Sequence, residues 1–187
     1  EYINKHINNV ELDDVMYSKE FSDFGDVTYT EKTRAVIKIQ DGCDRFCSYC
    51  IIPYARGRVR SRKPESIISE ITQIASKGIK EVVITGIHIA SYGKDFAMSK
   101  DNKLANYRLI DLLEEINEIQ GIQRIRLGSI EPLLITEEFV ERLKKLEKIC
   151  HHFHLSLQSG CDETLKRMNR RYTTEQFKEI VQLLRSA

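Results

Sequence analysis

Three cysteines lie within eight residues, at Cys43, Cys47 and Cys50, with the spacing C-x3-C-x2-C. Thiolates this close along the chain can converge on one metal centre. They number three, whereas structural zinc sites and ordinary 4Fe–4S sites each use four protein ligands. A 4Fe–4S cluster held by three thiolates leaves one iron open to a ligand from outside the protein. The triplet therefore predicts a catalytic iron–sulfur site.

Two other interpretations of the triplet stay open at this stage. The thiols could simply be buried, or they could be zinc ligands completed by a distant histidine. Zinc motifs usually come as two paired halves, and the other candidate ligands have no matching spacing. These candidates are His88, Cys150, His151, His152, His154 and Cys161.

The composition is that of an ordinary globular chain. Of 187 residues, 30% are charged and 41% hydrophobic, and the formal net charge is +1, so any surface for nucleic acid must be a local patch. No apolar run approaches the roughly 20 residues of a membrane span. An odd number of cysteines, three of them clustered, argues against a secreted disulfide scaffold. We expect a cytoplasmic protein without a membrane segment.

Alternating strand and helix patterns predict an α/β fold with a parallel sheet. The predicted strands are residues 35–40, 81–86, 124–130 and 152–157, and helices begin near Pro64, Leu109, Thr136 and Thr173. In such sheets, functional residues collect where strands end. Those segments are 42–57, 86–93, 129–132 and 158–161, and they are also the richest in unusual chemistry. Residues 1–33 are weakly patterned and predict a linker from a missing N-terminal domain, before a core at 34–187.

Together these features resemble the radical S-adenosylmethionine (SAM) superfamily, from about Thr33 to the end of the chain. The resemblance is carried by the cysteine triplet with Tyr49 directly before its last member. It implies a partial (β/α) barrel, truncated at both ends relative to the family. It also implies a 4Fe–4S cluster on Cys43, Cys47 and Cys50 whose open iron chelates SAM. Cleavage of SAM then gives methionine and a 5′-deoxyadenosyl radical.

Longer segments look like the methylthiotransferase branch of that superfamily. They are Ile51-Ile52-Pro53-Tyr54-Ala55-Arg56-Gly57, Arg60-Ser61-Arg62 and Leu157-Gln158-Ser159-Gly160. Residues 38–43, 85–88, 154–162 and 168–173 are most similar to the enzymes that act on N6-threonylcarbamoyladenosine 37 in tRNA. Isopentenyladenosine 37 in tRNA and a ribosomal protein aspartate are the alternative substrates. A non-catalytic metal-binding module is the alternative from another class.

The resemblance implies roles for residues at the strand ends. Thr85 and Gly86 would meet the methionyl group of SAM, Glu131 its ribose hydroxyls, and Tyr49 lies in the cofactor-binding loop. Gln158 and Ser159 would face the same cavity. Glu131 could instead cap the segment after it, and Gln158 could satisfy backbone groups.

A basic run follows the cysteine triplet, with Arg56, Arg58, Arg60, Arg62 and Lys63 in eight residues that contain no acid. Such a run is often only a solvated face, yet its place beside the triplet favours contact with RNA or substrate. Tyr54 and Tyr92 could stack on a base, or could pack.

The branch has a three-part layout, with a second 4Fe–4S cluster in an N-terminal domain and a small RNA-binding β-barrel after the core. This chain has one cysteine triplet and begins at Glu1, so we expect a piece of a longer protein that does not complete methylthiolation alone. The implied partners are tRNA and an electron donor such as flavodoxin or ferredoxin.

Overall fold

The structure is a computed structural model that describes residues 18, 20–22, 33–98 and 104–187. Its main sheet contains strands β1 (Arg34–Asp41), β2 (Arg60–Ser61), β3 (Glu81–Gly86) and β4 (Arg124–Leu127). Their order across the sheet is β2-β1-β3-β4. Strand β3 runs parallel to both β1 and β4, which confirms the predicted parallel sheet. The predicted linker at 1–33 lies almost wholly outside the described residues.

Strand β2 departs from the prediction, because it pairs antiparallel with the end of β1. Gln40 lies opposite Ser61, and Asp41 lies opposite Arg60. The chain reaches this position after a short helix, α1 (Ile52–Arg56), and a turn at Gly57. A two-residue strand shows no alternation of apolar and polar residues, so no periodic pattern announces it.

Two longer helices pack in one core with the main sheet: α2 (Pro64–Ser76) and α3 (Leu109–Glu118). Both begin where the sequence predicts. Pro64 suits the first turn of α2, where its missing N–H has no partner to lose. The apolar face of α2 is fully buried at Ile67 and Ile71, as is that of α3 at Leu113. Burial of these faces holds the helices against the sheet.

The predicted strand at 124–130 is divided at Gly128. Residues up to Leu127 pair with β3, whereas β5 (Ser129–Ile130) pairs in parallel with β6 (His154–Leu155) in a separate two-stranded sheet. The Gly128 N–H donates to the Ile84 carbonyl at 2.8 Å, and a Cβ at Gly128 would lie 3.2 Å from that oxygen. The break therefore depends on a close backbone contact that glycine permits.

Three further helices complete the described fold: α4 (Glu137–Leu143), α5 (Asp162–Arg167) and α6 (Thr174–Ser186). The Thr136 hydroxyl caps α4 by accepting from the Phe139 N–H at 3.2 Å. Thr173 and Gln176 form the capping box predicted for α6. The predicted fourth strand at 152–157 shrinks to the two residues of β6. In the described part of the chain, no helix combines the length and the apolar character needed to cross a membrane.

Candidate active site

The cysteine loop, residues 42–50, begins where β1 ends. Gly42 turns the chain with φ +72°, and the Cys43 N–H then donates to the Gly57 carbonyl at 3.1 Å. A second bond, from the Cys50 N–H to the Cys47 carbonyl at 2.9 Å, folds the end of the loop. All three cysteines are half-buried free thiols. The fold thus holds them on one short loop, as the spacing predicts.

The surroundings of the cysteine loop suit thiolates. One guanidinium nitrogen of Arg170, Nη1, lies 3.3 Å from the sulfur of Cys47. Burial raises the pKa of the Cys43 thiol, so nearby cations or a bound metal are needed to favour its ionised form. Soft thiolates on one loop, with a cation beside them, are a donor set that fits an iron–sulfur cluster.

The same loop does not have the arrangement of a site for a single metal ion. Within the described residues, no three His, Cys, Asp or Glu side chains converge closely enough to hold one ion. Zn–S bonds of about 2.3 Å would require the sulfurs to lie about 4 Å apart. A four-iron cluster takes each thiolate on a different iron, which spreads the ligands more widely. Binding of a cluster by Cys43, Cys47 and Cys50 stays a prediction.

Gln40 joins the cysteine loop to the end of β3. Its side-chain nitrogen donates to the carbonyls of Asp41 and Gly42, each at 2.6 Å. Its side-chain oxygen accepts from the His88 N–H, also at 2.6 Å. Gly86 lies against Gln40, where a Cβ would come within 2.9 Å of the Gln40 carbonyl oxygen. Sequence reasoning did not find Gln40, because β1 also contains Arg34, Lys38 and Asp41, so one more polar residue in it carries no distinct signal.

Thr85 and Gly86 lie beside this junction, half-buried at the carboxyl end of β3. Thr85 pairs with Lys38 and Gly86 with Gln40 across the sheet. These positions bring the end of β3 next to the start of the cysteine loop, as the parallel sheet predicts. Their contact with SAM stays a prediction.

Glu131 brings three segments together. It is buried, and its carboxylate accepts from Nη2 of Arg45 in the cysteine loop. Nε2 of His88, from the segment after β3, lies 3.5 Å from the same carboxylate oxygen. The alternative role as a cap is wrong, because the Glu131 side chain makes no capping bond to the 3-10 helix that follows it. Its carboxylate faces the cysteine loop instead.

His88 is held neutral in this environment. Burial lowers the pKa of His88 to about 4, and the positive charges of Arg45 and Lys94 act in the same direction. Nδ1 of His88 lies 2.8 Å from the Ser91 hydroxyl, which orients the ring.

A cavity of about 200 Å³ opens beside Glu131. Its charged lining consists of Arg45, Lys94, Arg108 and the single carboxylate of Glu131. Burial, followed by the charges of Arg45 and Arg108, holds the pKa of Lys94 below its ordinary value. The cavity therefore has more cations than anions around it. Sequence reasoning missed Lys94 and Arg108, which lie far apart along the chain and share no motif.

Gln158 and Ser159 follow β6, and their facing a cavity for SAM stays a prediction. The strand before them ends at Leu155, so both residues belong to the loop beyond it. Gln158 is exposed and has φ +68°, and Ser159 accepts a bond from the Cys161 N–H at 3.2 Å. Neither lines the cavity beside Glu131. Tyr49 is also exposed, at 53% of its surface, in the cysteine loop.

The basic run divides into exposed and buried members. Arg56 and Arg58 are exposed, and their contact with RNA stays a prediction. Arg60 and Arg62 are only 6% and 8% exposed: Arg60 lies in β2, which is paired with β1, and the Arg62 N–H donates to the Ile39 carbonyl of β1 at 2.9 Å. Arg62 forms an ion pair with buried Glu70 of α2. The prediction that Arg60 and Arg62 contact RNA is therefore wrong.

The two tyrosines considered for base stacking also differ. Tyr92 is 1% exposed, donates to the Arg62 carbonyl at 2.9 Å, and packs edge-on against Phe96. It is a core residue and cannot stack on a base. Tyr54 is 60% exposed and lies edge-on to Phe46 of the cysteine loop. Only Tyr54 keeps a free face for such a contact.

Comparison with known families decides what this arrangement belongs to. The family model of the radical SAM superfamily matches residues 37–187. The chain belongs to the radical SAM superfamily. A radical SAM methyltransferase from Kitasatospora setae has a similar fold, with a TM-score of 0.60 and 23% identity over 82% of this chain and 28% of that one. The predicted fold class is confirmed.

Curated relatives of this radical SAM chain are tRNA methylthiotransferases. Threonylcarbamoyladenosine tRNA methylthiotransferase from Bacillus subtilis is 41% identical over 94% of this chain, and that from Aquifex aeolicus is 40% identical over 98%. A tRNA-2-methylthio-N(6)-dimethylallyladenosine synthase from a Thermoanaerobacter species is 44% identical over 82% of the chain. The chain spans 38%, 43% and 31% of the length of these relatives. The predicted relationship to the methylthiotransferase branch is confirmed.

Proposed function

We propose that residues 34–187 form the radical SAM core of a tRNA methylthiotransferase, with a 4Fe–4S cluster on Cys43, Cys47 and Cys50. The observation that carries the proposal is the geometry of the cysteine loop. Three free thiols on that loop lie next to a buried carboxylate, Glu131, and to the end of β3, all at the carboxyl ends of parallel strands. A whole enzyme of this family would act on tRNA in the cytoplasm.

A bound cluster and SAM would supply a 5′-deoxyadenosyl radical for hydrogen abstraction from the substrate. The chain's own residues bind and orient the reactants. The Glu131 carboxylate, which is paired with Arg45, would accept hydrogen bonds from the ribose hydroxyls of SAM. Backbone carbonyls at Thr85 and Gly86 would accept from the ammonium group of SAM. Neutral His88 can donate to or accept from a ligand beside Glu131 without adding charge.

N6-threonylcarbamoyladenosine is the proposed substrate within tRNA. Its threonyl group bears a carboxylate, whereas a dimethylallyl group is apolar and uncharged. The cavity beside Glu131 offers Lys94 and Arg108, and a carboxylate placed there would meet an excess of positive charge. Two relatives named for threonylcarbamoyladenosine align with 94% and 98% of the chain, which further supports this choice. The dimethylallyladenosine and ribosomal-protein reactions are the alternatives.

The cluster assignment is tested by anaerobic reconstitution. The chain with iron and sulfide, dithionite and SAM should form 5′-deoxyadenosine. Cys47→Ala should abolish both iron binding and this product, whereas Cys161→Ala, at an exposed cysteine outside the loop, should change neither. Zinc without iron in anaerobically purified protein would favour the non-catalytic module.

The substrate assignment is tested by mass spectrometry of tRNA nucleosides. A strain that lacks the gene for the whole protein should lose methylthio-threonylcarbamoyladenosine and keep its dimethylallyl counterpart. Complementation with Lys94→Met should restore little of the product, whereas Lys94→Arg, which keeps the charge, should restore most of it. An unchanged nucleoside profile in the deletion strain contradicts the tRNA assignment.

Other parts of the proposal concern the whole protein. A second 4Fe–4S cluster in an N-terminal domain would handle the sulfur, and flavodoxin or ferredoxin would supply electrons. Exposed Arg56, Arg58 and Tyr54 next to the cysteine loop would contact the tRNA backbone and a base.

A further inference from the structure

The last residue of α5 and the turn after it, residues 167–172, lie against the cysteine loop, and we name this segment the clasp. The Ser48 N–H donates to the Met168 carbonyl at 3.2 Å, and the Ser48 hydroxyl donates to the Arg167 carbonyl at 2.7 Å. The Asn169 amide donates to the Phe46 carbonyl at 2.9 Å. These bonds join segments about 120 residues apart in sequence. The clasp therefore holds the loop by its backbone between Cys43 and Cys50.

Both sides of this contact have unusual backbone conformations. Phe46 has φ +49° and Asn169 has φ +57°. Asparagine is among the residues that tolerate this left-handed region, whereas an aromatic residue there carries strain of about 1–3 kcal/mol. The bond from Asn169 to the Phe46 carbonyl offsets that strain. The shape of the loop just before Cys47 thus depends on the clasp.

Arg170 of the clasp contacts one of the three thiols directly. Its Nη1 lies 3.3 Å from the Cys47 sulfur, its Nε 3.2 Å from the Tyr172 hydroxyl, and its Nη2 3.4 Å from the Ser156 carbonyl. Tyr172 is buried, and its hydroxyl donates to the Leu157 carbonyl at 2.8 Å. The planar guanidinium is therefore held on the side away from the sulfur, which fixes its direction toward Cys47.

We infer that Arg170 is a positioning residue that raises the reduction potential of a cluster bound through Cys47. This inference rests on the proposed cluster. Hydrogen bonds to the sulfur ligands and nearby charge set the potentials of iron–sulfur clusters. A cationic N–H donor stabilises the extra electron of the reduced state more than it stabilises the oxidised state. Loss of Arg170 should make the cluster harder to reduce.

The test measures iron content first and the degree of reduction second. The anaerobically reconstituted chain and its Arg170→Met variant are poised, without SAM, at the solution potential where the unchanged chain is half reduced. Electron paramagnetic resonance then gives the ratio of reduced to oxidised cluster. We expect Arg170→Met to keep its iron and to show a ratio about tenfold lower, which for a one-electron couple is about 59 mV.

Arg171→Met is the matched control, because it removes a neighbouring positive charge and leaves the bond to Cys47 in place. Its ratio should stay within about twofold of the unchanged chain. If Arg170→Met loses its iron, Arg170→Lys is measured in its place. We expect the ratio of reduced to oxidised cluster to fall about threefold in this variant, because lysine keeps the positive charge and loses the planar guanidinium.

Each result has one meaning. An unchanged ratio in an iron-loaded Arg170 variant overturns the inference and leaves the proposed function intact, and so does an equal fall in Arg171→Met. If the unchanged chain takes up no iron, the measurement is repeated on the whole protein, and failure there as well overturns the proposed cluster itself.

Discussion

Gly42 is the residue at which the chain leaves β1 and enters the cysteine loop. Its φ of +72° lies in the left-handed region, and a Cβ there would lie 1.8 Å from the Arg58 carbonyl oxygen. No side-chain rotation relieves a clash with backbone. Gly78 has a similar φ of +87°, but nothing lies within 4 Å of its Cβ position. Substitution of the two glycines therefore distinguishes the energetic cost of a side chain at positive φ from the cost of a clash with the backbone.

We expect Gly42→Ala to lower the free energy of unfolding by more than about 3 kcal/mol, because residues 57 and 58 must move. Gly78→Ala should lower it by about 1–2 kcal/mol, which is the conformational part alone. Urea denaturation of both variants measures the difference. Equal losses would show that the close approach to Arg58 contributes nothing.

His88 makes stability depend on pH within a defined window. Its pKa is about 4 in the folded chain and about 6.5 when unfolded, so the unfolded state takes up the proton first. The free energy of unfolding should therefore fall as the pH drops from about 6.5 to about 4. Between pH 7 and pH 5 the loss should be about 2 kcal/mol.

His88→Asn provides the comparison, since it keeps a polar side chain that does not titrate. Urea denaturation at pH 7 and pH 5 should show a drop smaller by about 2 kcal/mol in this variant. Asp41 and Glu81 have pKa values below their ordinary range, so their contribution is lost only at more acidic pH. The same drop in both proteins would exclude His88 as its source.

Arg62, directly after β2, forms an ion pair with Glu70 of helix α2, and both side chains are almost fully buried. Removing one partner leaves the other charge buried and uncompensated, at a loss of about 3–5 kcal/mol. We expect Arg62→Met to be destabilised by that amount. Arg62→Met combined with Glu70→Leu should recover most of it, because no charge then remains buried. Thermal or urea unfolding of the two variants measures this, and equal instability would contradict it.

Several elements were predictable because their cause lies within a few residues. Thr173 and Gln176 form a capping box three positions apart, and Pro64 and the spacing of isoleucines mark α2. Strand β2 was not predictable, since two residues are too few to show the alternation of apolar and polar side chains that marks a strand. The break at Gly128 depends on the Ile84 carbonyl of a neighbouring strand, which local sequence does not reveal.

The candidate site divides in the same way. The loop of three cysteines was predictable because their spacing lies within eight residues of sequence. Glu131 stood out as an acid at a strand end, but its partner Arg45 lies 86 positions away. Gln40 and Arg170 act through contacts with distant segments, so their roles emerge only from the fold. The prediction for Arg60 and Arg62 was wrong because a run of arginines indicates an exposed surface, and the sequence does not reveal the short strand β2 that buries this part of the run.

Over the whole molecule the net charge is +1, so the proposed binding of tRNA would depend on local charge. Each arginine that contacts a phosphate contributes about one unit to the slope of log affinity against log salt. In the whole protein, Arg58→Gln should lower that slope by about one. Arg62→Met, buried in the same run, should leave the slope unchanged in the fraction that remains folded. Filter binding across salt concentrations measures both, and a matching effect of the two variants would restore Arg62 as an RNA contact.

The clasp also affects when the cysteine loop can be completed during synthesis of the chain. A chain is synthesised from its N-terminus at about 5–20 residues per second, and the bond from Asn169 to Phe46 spans 123 positions. The cysteines therefore emerge roughly 6–25 seconds before the turn that completes their loop. During this interval the loop lacks the bond that offsets the strain at Phe46. We expect stalled nascent chains that end before Asn169 to take up iron more slowly than longer ones, and equal rates would contradict this order of assembly.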